Sequence, residues 1–81
     1  IQRRYPVDIS IVAYDKPDLL QDITALFANE HVPVISLNAA PNRKNNTITL
    51  FMTIEVDSVH PLSKIMSRLQ QMQDVSSVRR D

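Results

Sequence analysis

The 81-residue chain contains no glycine, no cysteine and no tryptophan. Glycine usually makes up about 7% of a protein, so about five or six residues would be expected here. Its absence excludes phosphate-binding loops of the G-x-G-x-x-G or P-loop kind, and turns must use Asn, Asp or Pro instead. The absence of cysteine excludes disulfides and thiolate chemistry, which fits a reducing compartment.

The sequence also lacks an excess of either charge and a long apolar run. Nine basic and nine acidic residues cancel, so the chain as a whole is not attracted to nucleic acid or to anionic membranes. No run approaches the roughly 20 apolar residues of a membrane span, and no signal peptide opens the chain. We therefore expect a cytoplasmic protein with no membrane contact. The 43% hydrophobic content is sufficient for one folded domain of this length.

The apolar pattern predicts elements in the order β-α-β-β-α-β. Alternation predicts strands over 5–13, 34–40, 47–56 and, more briefly, 74–80. Apolar residues at helical spacing predict two helices, N-capped by Asp15 and Ser58 and ending near residues 31 and 72. A polar hairpin loop is predicted over 41–46, where Asn takes the positive φ that glycine would otherwise supply.

Two such βαβ halves predict an α+β fold, a ferredoxin-like sandwich with a four-stranded antiparallel sheet and both helices on one face. Residues 1–4 are predicted to be the end of a linker and 5–81 a single domain. The missing initiator Met suggests a fragment of a larger protein. The sheet face without helices is expected to carry four apolar residues, Val12, Ile35, Leu37 and Phe51. An uncovered apolar face usually marks a partner, although scattered surface apolar residues are the alternative.

No pattern in the sequence indicates catalysis, a metal or a cofactor. His31 and His60 are far apart and lie at predicted helix boundaries, where a polar residue needs no special reason. Two His among scattered carboxylates do not have the spacing of a zinc site. An acylphosphatase-like reaction on this fold would need an Arg-containing anion cradle in the first strand-to-helix turn, which instead holds Asp15 and Asp18. We predict no catalytic residue, no metal ligand and no cofactor.

Several segments together resemble an ACT domain, and more narrowly that of the RelA/SpoT-type enzymes that synthesise and hydrolyse guanosine tetra- and pentaphosphate. The segments are 5–9, Asp15 with 19–24, 27–30, 32–34, 52–56 and 74–80. The resemblance implies a non-catalytic regulatory module of a GTP pyrophosphokinase, relaying starvation or ribosome status to upstream catalytic domains in the stringent response. It also implies a homodimer formed by ACT–ACT pairing, and contacts with the parent enzyme's other domains.

The resemblance further implies where an effector would bind. The positions are the turn after the first strand and the second strand opposite it: Asp15, Lys16, Asp18, Leu19, Val34, Ile35 and Asn38. The family usually has Gly where this chain has Asp18, and a side chain there blocks the approach of a ligand carboxylate to the backbone.

Two alternatives stay open. One is an amino-acid-binding ACT sensor of a metabolic enzyme. The other is a domain that contacts RNA, on the ribosome or tRNA, through the basic residues Arg43, Lys44, Arg79 and Arg80.

Overall fold

The computed structural model describes residues 3–81 and contains the six predicted elements in order. They are β1 (Tyr5–Tyr14), α1 (Leu19–Asn29), β2 (Val34–Asn42), β3 (Thr47–Val56), α2 (Val59–Gln71) and β4 (Val75–Arg80). The strands form one antiparallel sheet in the order β2-β3-β1-β4. The ferredoxin-like prediction is confirmed. Of the predicted linker, residues 1 and 2 lie outside the described residues, and residues 3 and 4 have no regular structure.

The core lies between the helices and one face of the sheet. In the inner strands β1 and β3 every second residue points to the helices, and most of these residues are buried. Each helix adds apolar residues three or four positions apart, which lie on one face. The buried apolar residues from both helices and the strands form one cluster: Val7, Ile9, Ile11, Ala13, Leu19, Ile23, Phe27, Val32, Leu50, Met52, Ile54, Val56, Leu62, Ile65, Leu69, Val75 and Val78.

Helix α1 ends in a Schellman motif built without glycine. The N–H of Val32 donates to the carbonyl of Phe27 at 3.0 Å, and the N–H of His31 donates to that of Ala28 at 3.2 Å. His31 has φ 57°, the left-handed conformation that glycine usually occupies at this position. The side chains of Phe27 and Val32 both join the core. His31 therefore has a structural role: its backbone conformation reverses the chain at the end of α1.

We expect the substitution His31→Gly to stabilise the domain by about 0.5–1 kcal/mol, because glycine adopts positive φ without the steric cost of a Cβ. For a domain of this size, that corresponds to a rise in Tm of about 2–8 °C. Thermal unfolding followed by circular dichroism measures it. The matched control is His60→Gly in the first turn of α2, which should lower Tm because glycine is unfavourable in a helix. Equal changes of Tm in the two variants would contradict the assignment of His31 to a position that favours glycine.

The start of α1 differs from the prediction. The helix begins at Leu19 with Asp18 as N-cap, and neither Asp18 nor Asp15 caps it through a side-chain hydrogen bond. Asp15 lies three residues before this N-cap and still belongs to the sheet, since its N–H donates to the carbonyl of Asn46 at 3.0 Å. Ser58 is the N-cap of α2 as predicted, but its hydroxyl donates to the Asp57 carboxylate instead of accepting from a helix N–H.

Strand β2 is longer than predicted, because it continues through Pro41 to Asn42. Proline is tolerated there because β2 is an edge strand. The hairpin loop is only 43–46, and the side-chain oxygen of Asn42 accepts the N–H groups of Lys44 and Asn45. Asn46 has φ 55°, so the prediction that Asn replaces glycine in this loop is confirmed.

Candidate regulatory site

The turn between β1 and α1 is joined to two other loops by backbone hydrogen bonds and an ion pair. The N–H of Tyr14 donates to the carbonyl of Asp74 at 2.9 Å, and that of Asp15 donates to the carbonyl of Asn46 at 3.0 Å. The ammonium of Lys16 lies 2.9 Å from the Asp74 carboxylate. A group that displaced this turn would therefore disturb its contacts with both the β2–β3 loop and the segment before β4.

A hollow of about 420 Å³ lies between this turn and the ends of β2 and β3. Most of its lining is apolar, and Lys16 and Asp15 supply its only charged side chains among residues 3–81. The lining residues are Asp15, Lys16, Pro17, Leu19, Leu20, Ala39, Ile48 and Leu50. The hollow can therefore accept a small molecule with an aliphatic body and one or two charged groups.

The structure brings together only part of the predicted effector site. Asp15, Lys16 and Leu19 line the hollow, whereas Asp18 does not. From β2 the lining residue is Ala39, and the predicted residues Val34, Ile35 and Asn38 are not among them.

The register of the sheet explains this difference. The turn follows Tyr14, which pairs with Thr47, and Thr47 pairs in turn with Asn42 at the end of β2. Val34 lies at the opposite end of the strand, opposite Ile54. Asn38 pairs with Phe51, so it points to the face without helices. A prediction that paired the last residues of β2 with the first of β3 would have found Ala39 and Ile48.

The sheet face opposite the helices, here called the open face, is mainly polar. The strands present Asp8, Ser10 and Val12 of β1 on this face, and Thr49, Phe51 and Thr53 pair with Val12, Ser10 and Asp8 on β3. Of the four apolar residues predicted there, Val12 and Phe51 are correctly placed. Phe51 is 47% exposed.

The placement of Leu37 on the open face is wrong. Leu37 pairs with Met52, a buried core residue, and packs against the core on the helix side. Ile35 is the unpaired residue of a bulge between Val34 and Ser36, and its side chain is 52% exposed. Because a bulge shifts the alternation, the two faces of β2 cannot be assigned by counting along the sequence.

The four basic residues predicted to contact RNA do not form one surface. Arg43 and Lys44 lie in the loop between β2 and β3, whereas Arg79 and Arg80 lie on β4 at the opposite edge of the sheet. Arg79 pairs with Ser10 and so points to the open face, and Arg80 pairs with Ile9. The two pairs are separated by the inner strands.

Residues 1–80 match the family described as the ACT domain. The chain belongs to the ACT domain family. This ACT domain is 38% identical to a GTP pyrophosphokinase of Haemophilus influenzae over 76 aligned residues. The aligned residues make up 94% of this chain but 10% of the relative. A GTP pyrophosphokinase of Escherichia coli strain K12 is 36% identical over the same length and coverage. The chain thus spans about a tenth of the length of these relatives.

A solved structure has the same fold. The crystal structure of the ACT domain from the GTP pyrophosphokinase of Chlorobium tepidum superposes with a TM-score of 0.82 and 24% identity, over 98% of this chain and all 100% of that one. At this identity the likeness concerns the fold alone.

The edge strand β2 of this ACT domain is almost entirely uncovered. Every residue of the strand except Leu37 is exposed. An edge strand presents a row of N–H and C=O groups that lack strand partners, and these groups can pair with another strand. Two exposed apolar side chains, Val34 and Ile35, lie on this strand, and the exposed Leu20 of α1 lines the same hollow as Ala39.

Within residues 3–81, no helix is long and apolar enough to cross a membrane. The same residues contain no group of three or more His, Asp or Glu side chains arranged to hold a metal ion.

Proposed function

We propose that this ACT domain is a non-catalytic regulatory domain of a cytoplasmic GTP pyrophosphokinase or guanosine tetraphosphate hydrolase. In this proposal it relays starvation or ribosome status to the catalytic domains of the parent enzyme through contacts with them and with a second copy of itself. The observation that carries the proposal is the 36–38% identity to GTP pyrophosphokinases over 94% of the chain. The edge strand β2 supplies a surface for the second copy.

The orientation of the backbone supports pairing through β2. Pro41 has no N–H, and a proline in a sheet occupies a position whose N–H would point away from the neighbouring strand. N–H direction alternates along a strand, so the N–H groups of Ala39 and Leu37 also point away from β3. These groups are free to bond with the β2 strand of a second copy in an antiparallel arrangement.

The apolar residues near this edge favour the same arrangement. Ile35 is 52% exposed and Leu20 is 45% exposed. Full burial of an apolar side chain of this size contributes about 1.5–3 kcal/mol, so covering the exposed half of each contributes about 0.7–1.5 kcal/mol. The open face is less suited to a stable dimer because most of its side chains are polar or charged.

Sedimentation of the 81-residue domain over a range of concentrations tests the proposal. We expect a monomer–dimer equilibrium, and we expect the domain to bind the remainder of the parent enzyme. The proposal would be contradicted if the domain stayed a strict monomer at high concentration and had no affinity for the rest of the parent enzyme or for ribosomes.

The hollow at the β1–α1 turn supports a second candidate function, the binding of an amino acid. Its aliphatic lining suits an apolar side chain, and the Lys16 ammonium can attract the ligand carboxylate. Asp15 can attract the ligand amino group. Asp18, which replaces the usual Gly, does not line the hollow.

A thermal-shift screen with the twenty amino acids tests this candidate, because a ligand that binds only the folded state raises Tm. At a concentration of about 100 times Kd, the expected stabilisation is about 2.7 kcal/mol. We expect aliphatic amino acids to raise Tm and Lys16→Gln to abolish the rise. The control Lys64→Gln, on α2, should leave it unchanged. A flat screen would contradict amino-acid binding.

A further inference from the structure

The open face carries an excess of negative charge. Its strands and the residue after β4 present three carboxylates, Asp8, Glu55 and Asp81, and one guanidinium, Arg79. Arg4, which precedes β1, shares another cavity with Glu55, so carboxylates still outnumber cationic groups on this face, whereas the whole chain is neutral. Such a surface repels phosphate groups and attracts cations.

A hollow of about 260 Å³ lies on this face, on the side of β2. Phe51 lines it and lies on an inner strand with 47% of its surface exposed. Asp8 and Asp81 also line the hollow, together with Ser36, Asn38 and Thr53. An aromatic ring and two carboxylates are the groups that bind a guanidinium, since the ring accepts a cation on its face and the carboxylates accept its hydrogen bonds.

The two carboxylates are held in place by hydroxyl groups of the sheet. The hydroxyl of Thr53 donates to Oδ1 of Asp8 at 2.7 Å, and that of the buried Ser10 donates to Oδ2 of Asp81. The N–H of Asp81 also donates to the carbonyl of Asp8, at 2.9 Å, which fixes the two residues relative to each other. A carboxylate has about four acceptor positions, so each can still accept from a ligand.

The protein's own Arg79 shows that a guanidinium fits beside this hollow. Its Nε lies 3.3 Å from Oδ1 of Asp81, while its side chain is 80% exposed. Arg79 therefore occupies only one side of one carboxylate. Asp8 forms no ion pair with any of residues 3–81, so a negative charge is available inside the hollow.

We propose that the open-face hollow binds an arginine side chain of a protein partner, with the guanidinium against the ring of Phe51 and bonded to the carboxylate of Asp8. Arginine is favoured over lysine because its planar group both stacks on a ring and bonds a carboxylate through two N–H groups. The proposal goes beyond the proposed function, since pairing through β2 leaves the open face free.

The test is a titration of the ¹⁵N-labelled domain with a blocked peptide of alternating Arg and Ala, followed by amide chemical shifts. We expect chemical-shift changes at Asp8, Phe51 and Thr53, weaker binding of the matched Lys peptide and no binding of the matched Glu peptide.

The substitution Asp8→Asn should weaken binding of the Arg peptide about tenfold or more, because it removes a charge-assisted bond. Phe51→Thr should weaken it about two- to fivefold. Asp22→Asn on α1, which removes the same charge elsewhere, is the control.

Four results would overturn the proposal: equal binding of the Glu peptide, an unchanged affinity of the Asp8→Asn variant, equally tight binding of free arginine amide, and binding of single-stranded RNA to the same amides. The third would indicate a small-molecule site, and the fourth a nucleic-acid surface. None of these results depends on self-association, so the proposal fails or stands independently of pairing through β2.

Discussion

Replacing Phe27 by alanine should lower the free energy of unfolding by about 3–5 kcal/mol, through the lost burial and the cavity left behind. Phe27 is 1% exposed and is among the largest fully buried side chains of the domain. It also contacts the core beside Val32, where the chain reverses after α1. At roughly 0.05–0.15 kcal/mol per residue, a domain of this length has about 4–12 kcal/mol in total. Urea unfolding followed by circular dichroism measures the loss.

The matched control is Phe51→Ala, the same change of side chain on the open face. Because Phe51 is 47% exposed, its loss should cost about 1 kcal/mol or less, within the range of β-propensity effects. Losses of similar size in the two variants would contradict the assignment of Phe51 to the open face. They would also undermine the proposed arginine site, which needs that ring to be accessible.

The order of the elements was predictable because the inner strands carry an unambiguous pattern. In β3 the buried residues Leu50, Met52, Ile54 and Val56 alternate with more exposed ones, and an inner strand with one buried face must keep this alternation. Helix α2 has buried residues at Leu62, Ile65 and Leu69, three and four positions apart. Local sequence determines these features, since each buried face is continuous.

Strand β2 was less predictable because it lies at the edge and has almost no buried face. Ile35 and Leu37 are both apolar, and only the bulge and the register with β3 show that Leu37 alone packs on the core. The N-cap of α1 was missed for a similar reason. The N–H of Asp15 bonds to Asn46, 31 positions further along the chain, and no local pattern indicates such a contact.

Only one wall of the hollow at the β1–α1 turn could be predicted from the sequence. Its residues in the turn follow from the family resemblance, because that turn is continuous in sequence. Its opposite wall, Ala39, Ile48 and Leu50, is formed by the pairing of two strands, and these three small or aliphatic residues carry no chemical signal of a binding site. The resemblance therefore predicted the side of the hollow that the turn forms, but not its lining on the sheet.

Replacing Ala39 by proline should leave the domain folded and weaken its self-association about thirtyfold or more. In the proposed dimer the Ala39 N–H bonds to the β2 strand of the second copy. Losing one buried backbone bond costs about 1–3 kcal/mol, and two symmetric bonds are lost per dimer. At 1.4 kcal/mol per tenfold change, a loss of 2 kcal/mol is about thirtyfold. Sedimentation velocity over a range of concentrations measures the change.

The matched control is Ala40→Pro, the same substitution one residue further on. The N–H of Ala40 points towards its partner Thr49 on β3, so this proline breaks the sheet inside the domain and should lower the free energy of unfolding by about 1–3 kcal/mol. If both variants lost stability equally, the inferred backbone orientation of β2 would be wrong. If a folded Ala39→Pro variant still dimerised as tightly as the original, a surface other than the β2 edge would have to join the two copies.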